Sequence, residues 1–511
     1  VLTNSGAGTR MSPGTVTAGA YGTGPITIGE SPSDKAGIYF ANATSLSNPI
    51  IFNTALGTDR VGIRADAAVT LSGAITANLA PATFTSNAAT AGSLLLTGQI
   101  TGDSGLVLDI TSLGAAATSF NVTLGNSGTA NNYAGHTVIN LNAASGKSAT
   151  LTLGAPNQIP DGAGRGNVVI NSNGSGVGRL NMGGFNETIN GLSGNGTVDG
   201  VSGAPVLTVG GNNATATFSG SIVNTAGSLA LVKTGSGTQT LSGSNSFSGG
   251  ATVSNGTLIA TSASSLGVNS GLTVGNGATF AYQPTAAGAL NLGTGAINLA
   301  SGSRVRTALG GTLSQSAIIS TAAAVTVAGP VTLDVFVIPG SPPVAGTHDV
   351  ITAASGLNNA TYSIGSVYNA PNYMLTGLTQ SDTAVRISTT AATPLTTHYW
   401  KGGYSDGNNI WAVSNGSTAS NWATDVSGTN TSLTPGPDST VIFSATGATN
   451  QGDMILGANM SVGGIVVNDT NAVVLNNSVY GHTLTMGAGG LQINSGAGAV
   501  TIGVPTLLGA E

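Results

Sequence analysis

Leu231-Val-Lys-Thr-Gly-Ser-Gly-Thr-Gln-Thr-Leu-Ser-Gly-Ser-Asn245-Ser-Phe-Ser-Gly-Gly-Ala-Thr-Val-Ser-Asn-Gly-Thr-Leu258 holds three short alternating stretches, Leu229–Lys233, Gln239–Leu241 and Ala251–Val253, cut by glycine corners. Strands this short cannot bury a sheet face alone. They become stable when each turn of chain stacks on the previous one and inward Val, Leu and Ile form ladders. Asn245 and Phe247 sit where one turn passes to the next. The stretch Asn131-Asn-Tyr133-Ala-Gly135-His-Thr137-Val138 echoes Asn245 to Val253 with one residue fewer.

The same rhythm runs outward in both directions. Gly24-Pro-Ile-Thr-Ile-Gly29, Gly271-Leu-Thr-Val-Gly275, Gly295-Ala-Ile-Asn-Leu299 and Ala499-Val-Thr-Ile-Gly503 are each a short alternating run bounded by small residues. Apolar residues at helical spacing are nearly absent. Composition agrees. Only 6% of the 511 residues are charged while 40% are hydrophobic, and there are 79 Gly. Disorder requires few hydrophobes and much net charge, so that class is excluded. Like charges stacked about 4.8 Å apart repel, so a solenoid favours Thr, Ser and Asn on its outer ladders. Low charge is thus a consequence of the fold.

The Lys233-Thr-Gly-Ser-Gly-Thr-Gln-Thr-Leu-Ser-Gly run and the Asn245-x-Phe-Ser-Gly-Gly-x-Thr-Val tail resemble the autotransporter-associated β-strand repeat of exported bacterial passenger proteins. The resemblance is strong over about thirty residues and weaker near Asn131. It implies a right-handed parallel β-helix on the outside of the cell. Residues 1–390 are expected to form one solenoid unit, with closing turns from about Val325, where Val331–Ile338 is longer and Pro339, Pro342 and Pro343 make a corner. Residues 391–397 read as a linker. Residues 398–511 read as a second unit, opened by a cap carrying Trp400, Trp411 and Trp422. At 20 to 25 residues per turn the first unit would hold about sixteen to nineteen turns and reach about 75 to 90 Å. The opening Val-Leu-Thr-Asn and the closing Leu507-Leu-Gly-Ala-Glu511 suggest a processed or excised segment.

Glycoside cleavage needs two facing carboxylates. Asp103 with Asp109, Asp59 with Asp66, and Asp334 with Asp349 are the candidates, and each reads more readily as turn or edge residues. Arg60 and Arg64 beside Asp59 and Asp66 read as a surface ion-pair patch. His136, His348, His398 and His482 show no metal-ligand spacing. The turns at Asp161 and Asp406 read as Asx turns rather than calcium sites. The Asn-x-Thr triplets at Asn121 and Asn186 follow from composition. No catalytic, cofactor or metal residue is assigned, and no cofactor is expected. Twelve basic residues spread thinly, within a net charge of −6, exclude nucleic acid as a partner. The most apolar stretch, Ala322 to Ile338, is broken by Gly329, Pro330 and Asp334, so no membrane-spanning segment is expected. The absence of Cys suits an exported chain.

These readings predict a non-enzymatic extracellular structural or adhesive surface protein. Its expected partners are copies of itself, neighbouring repeats, or a cell-surface glycan. The rival is a carbohydrate-active β-helix enzyme or tail-spike-like protein, which needs a groove lined by acids and aromatics.

Overall fold

The computed structural model describes residues 1–511 apart from 1–8, 12–23, 29–36, 54–61, 87–91, 111–118, 142–145, 268, 312–316, 321–324, 405–406, 478–480 and 510–511. Nearly all regular structure among the described residues is short strand, stacked for the most part in parallel as a β-solenoid. Contacts divide the chain into two compact units, Val1–Leu258 with Ser264–Ser270, and Ile259–Ala263 with Gly271–Glu511.

In the first unit every described strand pair is parallel. Each early turn supplies three strands, one to each of three sheets. Ile26–Ile28, Ile38–Phe40 and Thr44–Leu46 make one such turn, and Ile50–Phe52 begins the next. Register is set by identical side chains lying over one another. Ile26, Ile50, Ile75 and Ile100 stack in one column. Leu46, Leu71, Leu96, Leu124 and Leu153 stack in another. All are buried. A slip of one residue would turn every such column to solvent, so the alternating pattern fixes the register. Outward positions carry polar ladders, as where Asn171 donates to Asn140 at 2.7 Å and Thr152 donates to Asn121 at 2.7 Å.

The three stretches expected within residues 229–258 are strands Ala230–Lys233, Thr238–Leu241 and Ala251–Val253. Turn length is less uniform than expected. Asn245 bonds to Ser265, 20 residues on, whereas Asn140 and Asn171 are 31 apart. The extra residues lie in corners, such as the irregular stretch between strands Ser148–Leu153 and Val168–Asn171. A solenoid tolerates this because only the strands must stack.

The second unit keeps parallel stacking from Leu272–Val274 through Ile297–Leu299, and from Arg304–Leu309 through Val331–Val337. Beyond Gly346 the pairing changes. Gly346–Thr352 and Tyr373–Gln380 both lie antiparallel to Ala384–Ala391. A tight turn, with the Ser381 amide donating to the Ala384 carbonyl at 2.8 Å, makes this hairpin possible. Purely parallel register therefore does not run through the whole chain. The shift in sequence texture near residue 325 precedes this change.

Further on, Thr397–Trp400, Thr440–Phe443, Met460–Val467 and Leu484–Ile493 restore a parallel sheet. Trp400, Trp411 and Trp422 are fully buried within it, together with Phe443, Met454 and Val462. Phe336 and Tyr368 belong to the same cluster. The tryptophans thus form an interior core. Trp400 and Trp411 each lie 5.1 Å from Trp422, edge to face, and the Trp422 indole donates to the Trp411 carbonyl at 2.8 Å. No helix is long and apolar enough to cross a membrane among the described residues.

Candidate functional site

The two echoing stretches occupy equivalent places in the first unit. Asn131 and Asn245 are both buried, as are Tyr133 and Phe247, and Thr137 and Ala251 each open a strand. The equivalence is residue for residue. The single deletion expected between them is absent, because Thr137 matches Ala251 in position and burial.

Their chemistry is the same as well. Asn131 Oδ1 accepts from the Ile100 amide at 2.8 Å, and its Nδ2 donates to the Gln158 carbonyl at 2.9 Å. Asn245 Oδ1 accepts from the Ile222 amide at 2.7 Å, and its Nδ2 donates to the Ser265 carbonyl at 2.6 Å. Ile100 lies in the last strand of its sheet, and Ile222 in the last strand of another. In both cases the next turn offers a loop instead of a strand. The asparagine amide, one acceptor and one donor group on a short arm, takes over the part of the missing peptide group and ties three successive turns together. The aromatic two residues on fills the space the strand side chains would have occupied. The following glycine permits close approach: a Cβ at Gly249 would lie 2.6 Å from the Leu229 carbonyl oxygen.

Buried charges are used in the same manner. Glu187 accepts from the Gln158 amide at 2.8 Å and the Ile159 amide at 3.0 Å. Burial pushes its carboxyl up to about 8 despite those donors. Asp199 accepts from the Thr225 amide at 3.0 Å. Lys233 stands in a column between Val209 and Val253, and its Nζ turns aside to the carbonyls of Thr234 and Gly235. Desolvation lowers its ammonium to about 8. Asp334 accepts from the Ser366 amide at 2.9 Å and pairs with Arg304 at 2.7 Å. Each group satisfies backbone that the stacking leaves over.

Among the described residues, the pairs Asp103 with Asp109 and Asp334 with Asp349 do not assemble into a cleft. Asp103 is an exposed turn residue, while Asp109 is buried late in strand Leu106–Ile110. Asp66 binds Arg64 and accepts from Ser86 at 3.2 Å, and its side chain is largely buried there. Asp334 and Asp349 engage different arginines, Asp349 holding Arg386 at 2.7 Å. Asp59, Arg60 and Asp406 lie outside the described residues.

The histidines are also dispersed. His136 Nδ1 accepts from the Asn167 amide at 2.8 Å. His348 Nε2 donates to the Val344 carbonyl at 2.8 Å. His398 packs edge-on against Trp422, and burial lowers it to about 4. His482 is likewise lowered to about 4, by burial first and then by Arg306. Asp161 lies beside Glu187, and desolvation raises its carboxyl. Asn121 and Asn186 accept from Thr152 and from the Val206 amide. Among the described residues no three His, Asp or Glu side chains gather where they could hold a metal.

A concavity lies in the second unit. A half-open pocket of about 290 Å³ lies between the corner at Pro339 and Pro342 and a second corner, Pro435-Gly436-Pro437, with Pro371, Asn372, Tyr373 and Ser461 on its walls. Of the two corners, only the first is marked in the sequence by a change of texture. Nothing local links residues 339, 371 and 437, which the winding of the chain brings together.

No curated protein matches the chain. Residues 231–260, which contain Lys233 and the Asn245 clamp, match the family model of the passenger-associated-transport-repeat. That repeat within a stacked β-solenoid is consistent with an extracellular surface protein, and it fits an autotransporter passenger-type repeat protein.

Proposed function

We propose that this chain is a structural and adhesive scaffold at the bacterial cell surface. The observation that carries this reading is the use of its charge. Glu187, Asp199, Lys233, Asp334, His348 and His398 are all buried, and each is hydrogen-bonded to backbone. Groups that a hydrolase or lyase would turn toward substrate are spent here on closing turns. The outer ladders carry hydroxyl and amide groups, as at Asn140 with Asn171 and Asn121 with Thr152, a surface suited to stacking and weak polar contact.

Self-association is part of the proposal. Leu491, Ile493, Leu507 and Leu508 are exposed around strand Thr506–Leu508, an apolar surface that another turn of like geometry would cover. In this proposal such a turn comes from a second copy of the chain. We also propose residues 398–511 as a repeat-sized unit built round the tryptophan core.

Antibody labelling of intact producing cells, with removal of the epitope by added protease, tests the location. Labelling seen only after permeabilisation would overturn it. A panel of acidic and neutral polysaccharides tests the scaffold against the enzyme. Release of reducing ends or unsaturated products, lost on changing Asp103 or Asp109, would overturn the non-enzymatic reading.

A further inference from the structure

We infer that the pocket between the two proline corners binds a neutral pyranose ring. This gives the adhesive part of the proposed function a ligand and rests on that part; surface exposure and the solenoid stand without it. Three observations converge. First, no charged residue lines the pocket, which disfavours acidic sugars, phosphates and cationic peptides. Second, its volume, about 290 Å³, lies at the lower limit of small-molecule sites, about 300–1,000 Å³, and suits one ring rather than an extended chain. Third, the walls combine flat apolar rings with polar groups. Pro342, Pro371 and Pro437 present carbon faces, Tyr373 adds an aromatic ring, and the side chains of Asn372, Tyr373 and Ser461 bring an amide and two hydroxyls. A pyranose has one face of C–H groups and a rim of hydroxyls, so it can use both kinds of wall.

The site is also preformed. Each proline fixes its own φ, and the walls touch: a Cβ at Gly436 would lie 2.9 Å from Pro371 Cβ and 3.6 Å from Asn372 Oδ1. Little ordering entropy is therefore lost on binding. Ser461 is exposed at the mouth, on strand Met460–Val467.

Saturation-transfer NMR on the full chain, with glucose, galactose, N-acetylglucosamine and glucuronate as probes, tests this. The neutral sugars are expected to receive saturation and glucuronate to receive none. Tyr373→Ala should weaken binding about tenfold, the loss of one ring contact. Ser461→Trp should block it, and an unchanged far-ultraviolet circular dichroism spectrum would show that both variants remain folded. Failure of all neutral sugars to bind overturns the inference. So does signal that survives Ser461→Trp, or a pocket that takes a proline-rich peptide and no sugar. None of these outcomes alters the labelling of intact cells, so the two readings fail separately.

Discussion

Replacing Asn245 by Ala tests whether one side chain stands in for a missing strand. Asn245 supplies the acceptor for the Ile222 amide and a donor to the Ser265 carbonyl, both in the interior. Leaving a buried amide unpaired costs about 1–3 kcal/mol, and losing a second hydrogen bond costs about 0.5–1.5 kcal/mol, so the change is about 1.5–4.5 kcal/mol. Because a solenoid turn contacts only its neighbours, that energy is lost locally. Hydrogen exchange at the Ile222 amide should therefore speed up by about ten-fold to a thousand-fold, at about 1.4 kcal/mol per decade. Amides of the Ile26 to Ile75 column should not change. Asn245→Asp is the sharper variant. Its carboxylate still accepts from Ile222 but turns a second lone pair toward the Ser265 oxygen, so protection should be lost at neutral pH and partly regained when acid protonates it. Asn131→Ala should do the same at the Ile100 amide. An Ile222 amide that keeps its wild-type exchange rate in a folded Asn245→Ala chain would refute the clamp.

Other tests follow from the buried groups. Trp422→Ala removes the ring at the centre of the aromatic cluster and the hydrogen bond to Trp411, and should cost about 3–5 kcal/mol in denaturant unfolding followed by indole emission. His398 has a folded pKa of about 4 against an ordinary 6.5, so the unfolded chain binds the extra proton between those values. Stability of the Trp core should thus fall as pH drops from 6.5 to 4, and His398→Phe should flatten that slope. Glu187 has the opposite sign: its folded pKa of about 8 lies above the ordinary 4.5. The folded state holds the extra proton, so its contribution is full below pH 4.5 and is lost as pH rises to 8. Glu187→Gln should remove that alkaline loss, read as thermal midpoint against pH. Gly249→Ala, which drives a Cβ into the Leu229 carbonyl, should lower the midpoint, whereas Gly277→Ala, set in open space at a φ of 69°, should cost only its backbone strain.

Much of the solenoid was legible from local pattern, because the information is periodic. Inward Ile and Leu recur at strand spacing, and a stack needs nothing further to choose its register. Residues 229–258 show this best, with three strands placed within a residue or so of their observed limits. The echo at Asn131 was visible too, but only the hydrogen bonds of Asn131 and Asn245 show why it recurs and that its length is conserved between the two copies. The tryptophans were visible as a cluster in sequence. Their place in an interior core with Phe336 and Tyr368 depends on pairing between Tyr362–Tyr368 and Val413–Ser414, which no local pattern announces.

The sequence by itself determined the class of fold, its polar exterior and its scarcity of charge, since all three follow from stacking short alternating strands at one fixed spacing. Tertiary structure decided what depends on residues far apart in the chain. It set which sheets end where, which buried charge satisfies which amide, where the hairpin reverses direction, and which prolines meet round a pocket. Those outcomes depend on corner length, and corners are the one part of a solenoid that stacking leaves free.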